Sequence, residues 1–360
     1  MISVLIFFAA LSFTCIIPVY NLLTARRLTP RTTTKKPFVS ILIPARNEEK
    51  NIKEFLPKIL KQDYPNFEVI VLDDNSEDNT FKELKKLECD KLKILKGKPL
   101  EKGWIGKPWA CHQLSQEAKG ELFLFLDADV ELKPETLESA VALFQEEKVS
   151  MLSCFPQQLM NSWGEWLIVP MIDIMSLTLL PLELIKHTKS HLISIAIGQF
   201  ILIEKNAYHK IGGHESVKTK KTEDTGIARL MKQHGFKISA VRSIDLVKCR
   251  MYSNLLTSIQ GLSRSVYDGT NLKIPAYLIA VVFYFSIFLL PIFLIISDLN
   301  FIIVLIPLYV IRISTAILAG QDLILTSLLF PLHLLLFVPI ALNSIYISLT
   351  HQVVWKGRVI

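Results

Sequence analysis

The sequence predicts an α/β protein whose doubly wound, mostly parallel sheet lies between one leading and about three trailing apolar helices. Three observations predict it. Short apolar runs alternate with helical patterns between residues 38 and 147, the order that builds βαβ units with right-handed crossovers. The greasiest run, "LFLFL" at 122–126, is apolar on both faces, as a strand covered by helices on each side must be. Uncharged blocks long enough to cross a hydrocarbon core of ~30 Å flank this region on both sides.

Taken in order, the first block is "MISVLIFFAALSFTCIIPVYNLL". It has no basic start, and "TARRLTPRTTTKKP" follows it directly. A retained signal anchor over residues 1–24, with its basic flank held in the cytoplasm, fits better than a cleaved signal peptide. The globular domain is expected over residues 36–250. It opens with a strand from Phe38 to Ile43, a polar turn, and a helix through Lys61. The pattern then repeats as a strand Glu68–Leu72, an acidic turn and a helix from about Asn79. "KLKILKG" reads as a third strand and "PWACHQLSQEAKG" as the helix leading into "LFLFL". "PETLESAVALFQEE" is a further helix, with Pro134 at an N-terminal position where its missing N–H costs little.

Residues 163–185 are apolar but carry Glu165, Asp173, Glu183 and two prolines, a costly load for a full span. A helix lying on the membrane and a core helix of the globular domain fit them equally. Residues 251–273 read as an amphipathic interface segment and 274–351 as the trailing spans. Residues 275–297 are uncharged, 299–320 are interrupted by Arg312, and 323–349 by Pro331, His333 and Pro339. Three trailing spans would leave the C-terminus outside, and the basic ending "WKGRVI" argues against a simple last span.

Composition narrows the function. Of 360 residues 51% are hydrophobic, and Lys and Arg outnumber Asp and Glu by 40 to 33. A basic excess on a membrane protein suits anionic lipid headgroups, and no basic run with interleaved aromatics points to nucleic acid. The five cysteines are scattered without a C-x-x-C pair, so neither a disulfide framework nor a zinc site is expected, in keeping with a reducing compartment.

In doubly wound sheets the ligand crevice lies outside the carboxyl ends of the strands. Those ends are "PARNEE", "DDNSED" and "DADVE", three polar or acidic clusters on one rim. No glycine-rich phosphate loop follows the first strand, so a nucleotide here must be held by carboxylates and a metal. Asp127 and Asp129 could present oxygens to a hard divalent cation that also bridges a diphosphate; a solvated turn with capping acids is the plainer reading. Asp73 reads as a turn or helix cap, and Asp74 as an acceptor for a nucleobase N–H or a ribose hydroxyl.

"VSILIPARNEE", "VIVLDDNSEDNT" and "FLFLDADV", in this order, resemble the family-2 inverting glycosyltransferases with the GT-A fold over roughly residues 38–270. The resemblance implies sugar transfer from a nucleotide diphosphate donor, usually UDP-linked, with Mg²⁺ or Mn²⁺. By position Pro44, Arg46 and Glu48 would line a uridine pocket and Asp74 would bind uracil. Asp127 would approach the ribose side and Asp129 would ligate the metal.

In "EKGWIGKPWACHQ" Lys107 could reach a diphosphate, or the stretch could be a surface loop with Trp104 and Trp109 packed on the domain. The stretch is similar to one in membrane glycosyltransferases of carotenoid and hopanoid pathways, which share the layout of one leading and several trailing spans. Glu223 and Asp224 open a predicted helix, where first-turn acids suit the helix dipole. An inverting transfer also needs a base for the attacking hydroxyl, and the family's acidic pair supplies it at this place, by match Asp224. His214 could contact donor or metal, or be a satisfied turn histidine. His187 and His191 would share a helix face and read as surface residues.

Polymer synthases of the superfamily carry Gln-x-x-Arg-Trp before the trailing spans. This chain has Gln260, Arg264 and then Ser265, which weakens that reading and leaves Arg264 either facing the leaving diphosphate or on an amphipathic surface helix. The expectation is a multi-pass cell-membrane enzyme with a cytoplasmic catalytic domain, passing one sugar to a lipid or isoprenoid acceptor. A processive polysaccharide synthase and an inactive glycosyltransferase-like scaffold are the alternatives.

Overall fold

The computed structural model describes residues 2–270 and 272–350 and the backbone alone of 354–355 and 358–359, so the side chains of the C-terminal "WKGRVI" lie outside the described residues. The chain divides into two compact units. One comprises residues 1–25, 158–181 and 251–353, the other 26–157, 182–250 and 354–360.

The second unit is an α/β layer structure around a seven-stranded mixed sheet. Its strands are β1 (Val39–Ala45), β2 (Phe67–Asp73), β3 (Leu92–Lys96), β4 (Leu122–Leu126), β6 (Met151–Phe155), β7 (Phe200–Glu204) and β8 (Ile238–Arg242), in the order β3-β2-β1-β4-β7-β6-β8. In a separate three-stranded sheet, β5 (Val130–Leu132) runs antiparallel to β9 (Val247–Cys249), with Gln157–Gln158 on the far side of β9. β1, β2, β3 and β4 are parallel, with Ala45 opposite Asp73 and Leu42 opposite Phe125. This alignment brings the ends of β1, β2 and β4 to one rim. All five residues of β4 are buried, each apolar side chain stabilising the sheet by about 2 kcal/mol.

The sequence pattern did not reveal β7, which runs antiparallel to both β4 and β6. Leu126 pairs with Phe200, so the start of β7 lies at the end of β4. The preceding residues, Gly198 and Gln199, are thereby delivered to the rim, where the Gln199 carbonyl accepts from the Asp127 N–H at 3.3 Å. Helices Glu49–Ile59, Thr80–Lys86 and Gly106–Glu117 begin where expected, just past the rim ends of β1 and β2 and just before β4. The first of them buries Ile52, Phe55, Leu56 and Ile59 on one face.

The other unit is helical. Four of its helices, Ile2–Thr24, Ile274–Leu294, Leu299–Ala319 and Phe330–Thr350, are long and apolar enough to cross a membrane. The stretch 163–181 groups with them, broken at its prolines into Trp163–Ile168 and Pro170–Leu179. Its first helix is started by a capping box between Ser162 and Glu165. The polar interruptions find partners inside this unit: the Arg312 guanidinium donates to Gln321, whose amide donates to Asp173 at 2.8 Å. His333 meets the Trp166 carbonyl at 2.9 Å. The helix Leu182–His187 ends before His191, so the two histidines do not share a helix face; both are exposed.

Candidate active site

The rim carries two groups of acids held in different ways. At the ends of β1 and β2, Arg46 is buried and reaches across to the next loop. Its Nη1 donates to the carbonyls of Asp74 (2.8 Å) and Asn75 (2.6 Å), and its Nη2 to Glu77 (2.8 Å). Asn47 and Asn75 both adopt positive φ, 53° and 52°, the left-handed region that asparagine tolerates best after glycine. Asn47 receives the Glu77 N–H on its side chain at 2.8 Å. The Asp74 N–H closes onto the Ala45 carbonyl at 2.7 Å, and its side chain is buried. Glu48 accepts from Asn51 at 2.6 Å while its own N–H donates to Thr80. Asp73 receives the Ser76 N–H, as a turn cap does. Arg46 thus joins the β1 end to the Asp74 loop, while Glu48 is held through Thr80 and Asn51.

The second group lies at the end of β4. Pro44, Lys107, Asp127, Glu223 and Asp224 line a cavity of about 10 Å³, closed by Cys111 and Phe125. That is room for one water. Lys107, in the first turn of helix Gly106–Glu117, places its Nζ 2.7 and 2.9 Å from the two oxygens of Asp127 and 3.3 Å from Glu223. The surface-loop alternative thus fails for this lysine. Trp104 and Trp109 do pack on the domain, both buried, with ring centroids 5.1 Å apart.

Gly198 shows how tightly the cluster is drawn in. A Cβ there would stand 2.8 Å from Lys107 Nζ and 3.4 Å from Asp224 Oδ2. Its N–H donates to Asp224 Oδ2 at 2.8 Å, while the Thr225 N–H takes Oδ1 at 2.6 Å. Sequence reasoning missed Gly198, because a backbone N–H leaves no signature in residue type.

Burial sets the electrostatics. It opposes charge on Lys107, but Asp127 and Glu223 outweigh it and hold the ammonium well above the usual lysine range. Burial pushes the Glu223 carboxyl up to about 7; Asp224 and Asp127 add to the rise and Lys107 opposes it. Asp224 is raised as well, chiefly by burial, against Lys107 and the two backbone N–H groups. The two carboxyls interact, so their protons belong to the pair. His214 is buried, bonded through Nδ1 to Tyr208 at 2.8 Å and set against the Phe125 ring. Burial first, and then Lys107, drops it to about 3, so it is a neutral, satisfied histidine.

Asp127 and Asp129 belong to a turn closed by the Val130 N–H on the Asp127 carbonyl at 3.2 Å. Asp129 is half-buried beside Cys249, whose thiol is pushed up by burial and then by the charges of Asp129 and Asp127. Among the described residues no group of three or more His, Cys, Asp or Glu is arranged to hold an ion. The two carboxylates, hard oxygen donors, are of the type that would suit a divalent cation such as Mg²⁺ or Mn²⁺. Arg264 belongs to the helical unit, in helix Leu255–Thr270, with its Nε donating to Gln260 at 3.2 Å.

The family model described as "Glycosyl transferase family 2" matches residues 40–212. Over 333 residues the chain is 26% identical to the 4,4'-diaponeurosporenoate glycosyltransferase of Staphylococcus haemolyticus, covering 89% of this chain and 88% of that protein. Over 117 residues it is 41% identical to the beta-monoglucosyldiacylglycerol synthase of Trichormus variabilis, covering 31% of this chain and 25% of that protein. The match thus spans about a quarter of that relative's length. Among solved structures, the mannosyltransferase PcManGT from Pyrobaculum calidifontis, in complex with GDP-Man and Mn²⁺, is 17% identical and covers 99% of both chains with a TM-score of 0.54. At that identity the likeness is one of fold.

Proposed function

We propose, on the premise that the chain belongs to glycosyl transferase family 2 through its residues 40–212, that it moves a single sugar from a nucleotide diphosphate donor, of the UDP type, to a lipid-like acceptor at the cytoplasmic membrane face. The observation that carries this reading is the convergence of Asp127, Glu223 and Asp224 on one buried cavity at the carboxyl rim of the sheet, with Lys107 between them. The named acceptors of two relatives, a diaponeurosporenoate and a diacylglycerol lipid, support a lipid-type acceptor, and four membrane-length helices support access to one. In this reading residues 36–250 form the catalytic domain, 251–273 lie at the interface and 274–351 span the membrane.

Arg46 and Glu48 shape the floor on which the nucleoside rests, and Asp74 accepts from its base. Asp127 and Asp129 are the residues that would hold Mg²⁺ or Mn²⁺, which when bound supplies positive charge for the departing diphosphate. Asp224 takes the proton of the attacking hydroxyl. Its carboxylate has lone pairs left after the Gly198 and Thr225 bonds, and its raised pKa makes it a stronger base than a surface aspartate. Glu223 shares the pair's proton. Release of UDP from a UDP-sugar by the membrane-embedded chain, with and without Mn²⁺ and again with Asp129→Ala, tests the reading. Release that needs Mn²⁺ and fails in the variant is expected; equal release in all three contradicts it.

A further inference from the structure

Resting on that reading, we propose that Lys107 is the resident counter-cation of Asp127, so that a divalent cation binds the free protein weakly and binds tightly only when a diphosphate draws the lysine away. An ammonium has three N–H donors and no acceptor. Here all three have a carboxylate oxygen within reach: Asp127 at 2.7 and 2.9 Å and Glu223 at 3.3 Å. Both Asp127 oxygens are therefore engaged by a positive charge, and a divalent cation approaching the same carboxylate meets like-charge repulsion. Lys107 and Asp127 are about a quarter exposed and Glu223 less so, so solvent and salt screen this repulsion only in part.

The backbone keeps the ammonium's place open. At Gly198 a Cβ would stand 2.8 Å from Nζ, inside contact distance. Among the described residues no group of three or more His, Cys, Asp or Glu is placed to hold an ion, so a hard cation at Asp127 and Asp129 would draw further oxygens from outside those side chains, and a diphosphate can supply them. A diphosphate meets both needs. It gives Lys107 a new anionic partner, releasing Asp127, and it brings oxygens to the cation. By linkage each ligand then strengthens the other by the same factor.

The test is Mn²⁺ binding to the purified full chain, read from the electron paramagnetic resonance signal of free Mn²⁺, with and without UDP. It compares the unsubstituted protein with Lys107→Met and Lys107→Arg. Lys107→Met keeps the stem and removes the charge. It is expected to bind Mn²⁺ about tenfold more tightly without UDP and to lose most of the tightening that UDP gives, a coupling of ordinary size. Lys107→Arg keeps the charge and is expected to bind Mn²⁺ without UDP as weakly as the unsubstituted protein. Equal affinity of Lys107→Met and the unsubstituted protein, with Mn²⁺ clearly bound, overturns the inference and leaves the sugar-transfer reading standing. No Mn²⁺ binding in any of the three, with or without UDP, overturns the metal assignment and the inference with it.

Discussion

The acids after β2 and those around Lys107 look alike in sequence, as short carboxylate clusters beside polar turns, but the fold treats them in opposite ways. In "DDNSED" the polar groups are bonded to their neighbours. Asp78 accepts from Thr80 and Glu49, Glu77 pairs with Arg46, and Asp73 caps the turn. Burial nudges the Asp78 carboxyl up, but the Thr80 and Glu49 bonds outweigh it and hold the carboxyl below its ordinary value. Around Lys107 the balance reverses, because one cation and a few N–H groups face three carboxylates and burial raises both Glu223 and Asp224. One cluster holds a loop in shape. The other holds two carboxyls whose protonation burial shifts upward, the kind of perturbation that marks a candidate functional site.

The largest expected break in this contrast is Asp224→Asn. It keeps the shape while removing the carboxylate proposed as the base, and sugar transfer should fall by about 10²–10⁴-fold. Glu223→Gln should cost less, since Lys107 then pairs with Asp127 alone, so the ratio of the two kcat values separates the base from its neighbour.

Next is a pH effect on stability. The folded Glu223 carboxyl at about 7 lies above its unfolded value, so between about pH 4.5 and 7 the folded state binds the extra proton. Stability from this group is therefore highest below about pH 4.5 and declines as pH rises to about 7. The thermal midpoint of the full chain should fall over that range, and Glu223→Gln should flatten the slope. An unchanged slope would show that the carboxyl is not buried against charge.

A smaller effect is expected at the other cluster. Arg46→Met strands the carbonyls of Asp74 and Asn75 and should cost about 1–3 kcal/mol in denaturant unfolding. The pH slope that Glu223 sets should remain.

Much of the contrast was legible. The β1, β2 and β4 runs and their acidic ends fall where apolar patterning puts them, because a strand buried on both faces leaves a continuous apolar word such as "LFLFL". What was not legible is direction and partnership. The run "FILIE" of β7 carries no sign that it runs antiparallel, and that direction is what brings Gly198 to the rim. Lys107 reads as a loop lysine or a phosphate ligand, since its partners Asp127 and Glu223 lie 20 and 116 positions away and only the tertiary fold brings them together. His187 and His191 show the limit from the other side: a spacing of four implies a shared helix face only if the helix continues, and here it stops at His187.

The most direct measurement compares the two clusters in one assay. Full-chain protein in membranes, given a UDP-sugar and Mn²⁺, would be followed by mass spectrometry of glycosylated lipid for Asp224→Asn and for Asp78→Asn, both acids in or near the first turn of a helix at the same rim. The account predicts loss of product by at least about 10²-fold in the first and near-full transfer in the second. Transfer retained by Asp224→Asn, or lost equally in both, would contradict it.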